Sequence, residues 1–418
     1  MRIGIIGGGA SGLASAWLLE EQHDVTLFEK QDRLGGHAQT VDVEVDGVKV
    51  PIDAGFDFFA QRLWPTFCRL LSILDAPVHR YAGTTTLYTS DNAHVHRMPF
   101  IRNGRVCWSI FRPDTLSKMV QFQSALKTAS RLIEARNTSL TVEAFTEGLP
   151  LSRSFKDQFL YPLVQAIWCT EPHDFRRFSA YNAFKYYVCC EVGKFSQFYF
   201  NEVIGGSRAY IEQLVKGLKR TSICTGTEIK RVRRQTQRYA VEDGSGAFHE
   251  FDHLIVATNA QVARAVVKEL DSVETLQTEL GKVQYFKGTI AIHGDTRFMP
   301  ANRNHWSVFN IRHDGTHSAL SVWKEWKSRT PVFKSWVTFE PRMPQPLYFT
   351  ETYDHPKVSP HYFEAQRAVA GLQGINNLWL AGLYTHDIDS HEGAVLSAVK
   401  IAQRLSPQSS NLKQLMAP

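Results

Sequence analysis

Four residues able to bind metal or move protons, His386, Asp387, Asp389 and His391, stand within six positions near the end of a 418-residue chain. Histidines and carboxylates at such spacing suit zinc or iron. Such sites usually fix their ligands on a helix or across strands, whereas THDIDSHE is a polar loop, so no metal is expected. The other end of the chain, RIGIIGGGASGLASAWLLEEQHDVTLFEK, offers different chemistry. Gly7, Gly9 and Gly12 satisfy G-x-G-x-x-G. The first glycine permits a tight turn, the second lets a pyrophosphate approach the backbone, and the third lets a helix pack closely on a strand. Glu29, at the end of the next apolar run, has the position of an acceptor for ribose hydroxyls. Together they predict dinucleotide binding, and this unit alone leaves NAD and FAD open.

The elements that must position these groups follow from the pattern. Ile3, Ile5 and Ile6 read as a short buried strand, Leu13 to Leu19 as an Ala/Leu-rich helix, and Val25 to Phe28 as a second strand. The helix start supplies amide donors and a positive dipole end to phosphates. TTTLYTS and AHVHRMPFI read as strands by their alternation and β-branched content. From Pro113 to about Phe200 the pattern is mainly helical and aromatic-rich. Residues 283 to 350 are again strand-rich, and Ser406 to Pro418 reads as a frayed end.

Composition narrows the class. Hydrophobic residues at 43% and charged residues at 21% are ordinary for a soluble globular protein, and a net charge of +6 is mild. The six cysteines form no CxxC pair, which points to reduced thiols and a cytoplasmic setting. No signal peptide and no membrane-spanning run is expected. The densest basic stretch, KRVRRQTQR from Lys230 to Arg238, alternates apolar and basic positions and lacks interleaved aromatics. It reads as a solvated strand face, and no nucleic-acid partner is expected.

Beyond Glu29, EKQDRLGGHAQT and VKVPIDAGFDFF resemble the flavin amine oxidase, phytoene desaturase and protoporphyrinogen oxidase superfamily, through E-x-x-x-R-x-G-G followed by D-x-G-x-x-x-F. The likeness extends through EVIGGSRAYIEQLVKGL, EIKRVRR, FDHLIVATNA, IAIHGDTRFMPANRNHWSVFN, YDHP and LWLAGLY…HEGAVLSA. It is strongest to bacterial amine-oxidase-like FAD proteins associated with cyclopropane fatty acid synthase genes. The resemblance implies an α/β fold: a Rossmann-type FAD-binding domain of residues 1–75, 201–270 and 365–418, interleaved with an α+β substrate domain of 76–200 and 271–364. It makes Gly7, Gly9, Ala10, Ser11 and Gly12 the phosphate turn, and places Glu29, with Lys30 beside it, at the adenosine ribose. Gly35, Gly36 and His37 would border the pyrophosphate and ribityl chain, Gly55 and Phe56 the ring, and Ile229 the adenine. Gly382, Leu383, Gly393 and Ala394 would line the ribityl chain and pyrimidine edge, with His391 beside that edge.

Two further residues are candidates for catalysis. His355, in the subgroup's Y-x-H-P pattern, has a side chain whose ordinary pKa suits a general base, and a structural role stays open. Lys287 is the nearest counterpart of the lysine that amine oxidases present to the flavin. The chain also departs from amine oxidases. Ser390 stands where they carry a cage aromatic, Leu383 where many relatives carry an acid, and no C-terminal cysteine is present for covalent attachment. The seven aromatics between Phe184 and Phe200 are either core or the lining of an apolar tunnel. The expectation is a non-covalent FAD oxidoreductase acting on an apolar acyl, lipid or polyketide-like substrate, of desaturase or oxidase type. A double-bond isomerase, an amine oxidase and a non-enzymatic flavin-binding protein are the alternatives, in that order. A carrier protein or peripheral membrane contact would deliver such a substrate, and the oligomeric state is left open.

Overall fold

The computed structural model describes residues 1–99, 112–190 and 198–417, with backbone alone at 101–102, 105–106 and 191–192. Its first organising element is a five-stranded parallel sheet in the order Ser222–Cys224, Asp24–Phe28, Arg2–Ile6, His253–Val256, Leu378–Leu380. These strands are short and nearly all apolar because both faces are covered, as parallel sheets require. The Ala10–Leu19 helix packs against the sheet and is buried along all ten residues. Its neighbours are the Ser207–Gly217 and His391–Leu405 helices. Leu13, Leu18 and Leu19 have no exposed surface, which is worth about 1.5–3 kcal/mol per side chain.

The second element is a seven-stranded sheet in the order Leu347–Pro356, Tyr285–His293, Phe333–Trp336, Ser318–Trp323, Phe309–His313, Thr85–Thr89, Val95–Met98. All its pairs are antiparallel except Phe309–His313 with Thr85–Thr89. A helical layer runs from Pro113–Glu134 to Ala180–Val188. The α/β class matches the sequence pattern. The expected boundary at residue 200 falls inside the Phe198–Val203 strand, and that at 365 inside the Pro360–Leu372 helix.

One expectation is overturned. The tail is not frayed, because Ser410–Met416 forms a helix capped by Ser409, whose Oγ accepts from the Leu412 amide at 3.3 Å. Leu412 and Leu415, one turn apart, are buried, and Asn411 donates to the Trp17 carbonyl. The basic stretch runs from the Ile229–Gln235 strand of a three-stranded antiparallel sheet through its turn to Arg238, the first residue of the next strand. Its Arg231 pairs with Glu242 and Glu269 on the protein's own surface. No helix among the described residues is long and apolar enough to cross a membrane.

Candidate active site

At the carboxyl ends of the parallel strands the chain reverses direction through glycines. Gly7 has φ +112°, and a Cβ there would lie 2.5 Å from the Ala257 carbonyl oxygen. Its amide donates to the Phe28 carbonyl at 2.8 Å, tying the turn to the second strand. Gly9 then starts the Ala10–Leu19 helix with no side-chain cap, so its first-turn amides keep donors free of any capping side chain. The Gly35 amide donates to the Gly8 carbonyl at 2.8 Å, setting Gly35 and Gly36 against Gly9. A Cβ on Gly9 would meet nothing nearer than Gly36 Cα at 4.0 Å among the described residues. Two glycine backbones and an uncapped helix start thus form a cradle shaped for a pyrophosphate. The Glu29 carboxylate is held there by the Gly8 amide at 2.7 Å and the Gln31 amide at 2.9 Å.

This cradle opens into a cavity of about 630 Å³ running between the two sheets. Of the predicted residues, Gly7, Gly9, Ala10, Ser11, Glu29, Lys30, Gly35, Gly36, His37, Gly55, Phe56, Ile229, His355, Gly382, Leu383, His391 and Ala394 line it. Three do not. Gly12 serves helix packing, since a Cβ there would lie 1.9 Å from the Gly7 carbonyl oxygen. Gly393 lets its helix cross the preceding loop, with the His386 carbonyl 2.6 Å from an added Cβ.

Lys287, the third, faces solvent, 75% exposed and paired with Asp354 at 3.0 Å. Adjacent strand residues point to opposite faces, and its neighbour Phe286 turns inward onto His355, ring centroids 5.7 Å apart. This placement removes Lys287 from the candidate machinery. Lys287→Ala is expected to leave FAD content and turnover unchanged and to shift stability by less than ~1 kcal/mol, measured by flavin absorbance and thermal unfolding.

Three imidazoles border the middle of the cavity. His391 stacks on Phe56 at 4.2 Å, and its Nε2 hydrogen-bonds the Tyr210 hydroxyl at 2.5 Å. Burial, then His37, pushes His391 down to about 3. Burial and the charges of His37 and Lys334 likewise bring His355 to about 3, and its Nε2 is buried with no hydrogen-bond partner among the described residues. His37 packs 4.9 Å from the Tyr353 ring and is lowered by burial and by Arg33. His355 and His391 are therefore neutral at pH 7. With its Nε2 shut away from the cavity, His355 offers a base through that nitrogen only after rearrangement.

The terminal loop is dispersed by its partners. Asp387 pairs with Lys185 and accepts from the Tyr181 hydroxyl. Asp389 accepts from Trp168 Nε1 at 2.9 Å. Ser390 caps the His391–Leu405 helix, its Oγ accepting from the Gly393 amide at 3.4 Å. Among the described residues no group of three or more His, Cys, Asp or Glu is arranged to hold an ion.

Of the described aromatics between Phe184 and Phe200 only Tyr186 lines the cavity, while Phe184 is core and Phe195 lies outside the described residues. The adjacent thiols are inert: burial raises Cys189 and pushes Cys190 up to about 12. Lys334 and Asp389 are among the lining residues that the sequence pattern does not assign to the site. Lys334 carries no local signal, and Asp389 is visible only as part of a metal-like cluster.

A glycine cradle at the carboxyl ends of parallel strands, continued by a long cavity, defines a Rossmann-type dinucleotide-binding protein with room for a second reactant. The family model for flavin containing amine oxidoreductase matches residues 10–289, and the chain belongs to that family. Its cofactor is FAD, which the cradle and the Glu29 position fit. Coproporphyrinogen III oxidase of Bacillus subtilis (strain 168) is 24% identical over 310 residues, covering 65% of this chain. The match spans 63% of that protein's length. Cyclohexylamine oxidase from Brevibacterium oxydans IH-35A superimposes with a TM-score of 0.70 at 15% identity, over 97% of this chain and 99% of that one. The CLA-producing fatty acid isomerase from P. acnes gives 0.70 at 14%, over 97% and 98%. At these identities both structures speak for the fold alone.

Proposed function

We propose that this protein removes hydride from an apolar acyl, lipid or polyketide-like substrate, as a desaturase or oxidase with non-covalent FAD. One observation carries the reading. The cavity beyond the glycine cradle is walled by Phe58, Trp64, Ile167, Tyr186, Leu320 and Trp336, and Ser390 is spent on a helix cap where amine oxidases carry a cage aromatic. Such a wall suits a chain bound by burial of apolar surface.

FAD, when bound, accepts the substrate's hydride. The protein's part is to bind, orient and keep out water. Ala10 and Ser11 offer amides to the phosphates, Glu29 takes the ribose, and Ile229 takes the adenine. Gly55, Phe56, Gly382, Leu383, His391 and Ala394 bound the ring and ribityl region. No cysteine among the described residues lines the cavity, in keeping with non-covalent attachment.

We further propose that residues 1–75, 201–270 and 365–418 serve the cofactor and the remainder the substrate. The substrate would arrive from a carrier protein or a membrane surface. The second reading is a double-bond isomerase, in which hydride is returned and no electron acceptor is consumed; a fatty acid isomerase shares the fold. Anaerobic mixing of the yellow holoenzyme with acyl substrates should bleach the flavin. Isomerised product without net oxidation selects the second reading. Oxidation of amines or of coproporphyrinogen III, with no response to acyl chains, overturns both.

A further inference from the structure

His391 and His355, each pushed down to about 3, are weak bases, and Lys287 faces solvent, so none of them is poised to take the substrate's proton in the oxidation proposed above. Asp389 is a carboxylate on the cavity wall, with one oxygen firmly hydrogen-bonded and the other held only at longer range. Oδ2 is anchored by Trp168 Nε1 at 2.9 Å, and indole can only donate. The single Tyr186 hydroxyl proton goes to the Asp389 backbone carbonyl at 2.8 Å, leaving Oδ1 a long contact of 3.3 Å to the same hydroxyl. The backbone is fixed by that bond and by the Asp389 amide donating to Asn182 Oδ1 at 3.4 Å. No cation pairs with the carboxylate among the described residues.

We propose that Asp389 is the proton-exchanging residue of the cavity, its Oδ1 taking up the proton that the substrate gives up on oxidation. The inference rests on the function proposed above, and the balance is simple. The substrate loses two hydrogens. One leaves as hydride to FAD with both electrons of its bond. The other leaves as a proton to Oδ1, its bond pair becoming the second bond of the new double bond.

The surroundings tune the group for this exchange. Burial raises the Asp389 carboxyl, against the hydrogen bonds of Trp168, Asn182 and Tyr186, to about 6. The remaining groups facing it are the Tyr362 phenol, neutral Tyr186, and Asp387, whose charge is matched by Lys185. A base whose conjugate acid titrates just below neutrality is ionised at pH 7 and still a competent donor on the return step.

The test uses the holoenzyme and three readouts. The wild type should show an infrared carboxyl band that titrates near pH 6 and is missing in Asp389→Asn. Asp389→Asn should bind an unreactive acyl analogue within about threefold of wild type, by flavin difference absorbance, while single-turnover reduction slows by ~10²–10⁴-fold. Its rate should lose the limb that rises through pH 6. Added formate should restore part of the rate to Asp389→Ala. Wild-type rate and pH profile in Asp389→Asn would overturn the proposal, as would a band titrating near the ordinary carboxyl value of ~4. If the variants do not fold, the wild-type band decides alone. Reduction is measured with whichever substrate class bleaches the wild type, so failure of the acyl reading changes the substrate and leaves the role of Asp389 to be decided by the same rates.

Discussion

Gly9→Val is expected to yield a folded, colourless protein, whereas Gly12→Ala is expected to lose the fold along with the flavin. The two glycines are three residues apart and do opposite work. Gly9 sits at φ −77°, ψ −176°, extended backbone that valine adopts readily. An added Cβ finds only Gly36 Cα, at 4.0 Å, so the side chain grows into the cradle and takes the volume that a pyrophosphate needs. At Gly12 the added Cβ would lie 1.9 Å from the Gly7 carbonyl oxygen and 3.1 Å from its carbon. Both are backbone atoms of a turn already hydrogen-bonded to Phe28, so neither can step aside. The destabilisation should reach or exceed the ~3 kcal/mol upper end of ordinary overpacking. That is a large share of the ~5–15 kcal/mol that holds a domain together. Flavin-to-protein absorbance ratio and thermal unfolding of the FAD-free forms check both. A yellow Gly9→Val protein would remove the cradle from the cofactor site.

The glycine-rich cradle is readable in the sequence because its constraint is local. Gly7 and Gly382, at φ +112° and +142°, hold conformations that other residues rarely adopt. What a glycine approaches is not local. The motif therefore puts Gly393 beside the flavin, whereas it faces the loop carbonyls of His386 and Ile388. The tail helix is too short for a helical period to stand out, and only its burial of Leu412 and Leu415 reveals it. Lys287 illustrates the sensitivity of a strand to parity: one position decides which face a side chain takes. Asp389 is legible as a residue and illegible as a site. Its donors Trp168 and Tyr186 lie 221 and 203 positions away, on a different layer of the fold. The same distance hides the charges that hold the Gly55–Phe58 wall.

Lys324→Met should destabilise the protein by about 3–5 kcal/mol at pH 7, the scale of breaking a buried ion pair by removing one partner. Lys324 is 4% exposed and contacts Asp57, 7% exposed, and Glu202, 4% exposed. Its ammonium donates to Asp57 Oδ1, to the Asp57 carbonyl at 3.0 Å and to Glu202 Oε2 at 2.8 Å, so all three of its protons are used. Burial alone would raise the Asp57 carboxyl, and the Lys324 and Lys334 ammoniums overcome it, holding it well below the usual carboxylate range. Burial and Lys324 with Lys327 act in the same opposed way on Glu202, which is also lowered. Burial pushes Lys324 down, and Asp57, Tyr81 and Glu202 more than reverse this.

Depressed carboxylates give stability that is present above their unfolded pKa of ~4 and lost as pH falls through the folded value. The raised lysine gives stability that is present below ~10.4 and lost above its folded value. The network therefore acts in full from about pH 4 to about pH 10. The gap between wild type and Lys324→Met should be widest across that range and narrow under acid, as Asp57 and Glu202 gain protons and no longer need a cation. A gap independent of pH would mean that Lys324 acts through packing rather than charge. The loss should also reach the cavity. Lys334 bridges Asp57 Oδ2 and the Gly55 carbonyl, each at 3.0 Å, and so ties the wall at Gly55–Phe58 to the seven-stranded sheet. With Lys324 gone, Asp57 is left with Lys334 as its one paired cation among the described residues and the wall loosens. Weaker FAD retention on gel filtration should accompany the lower unfolding temperature.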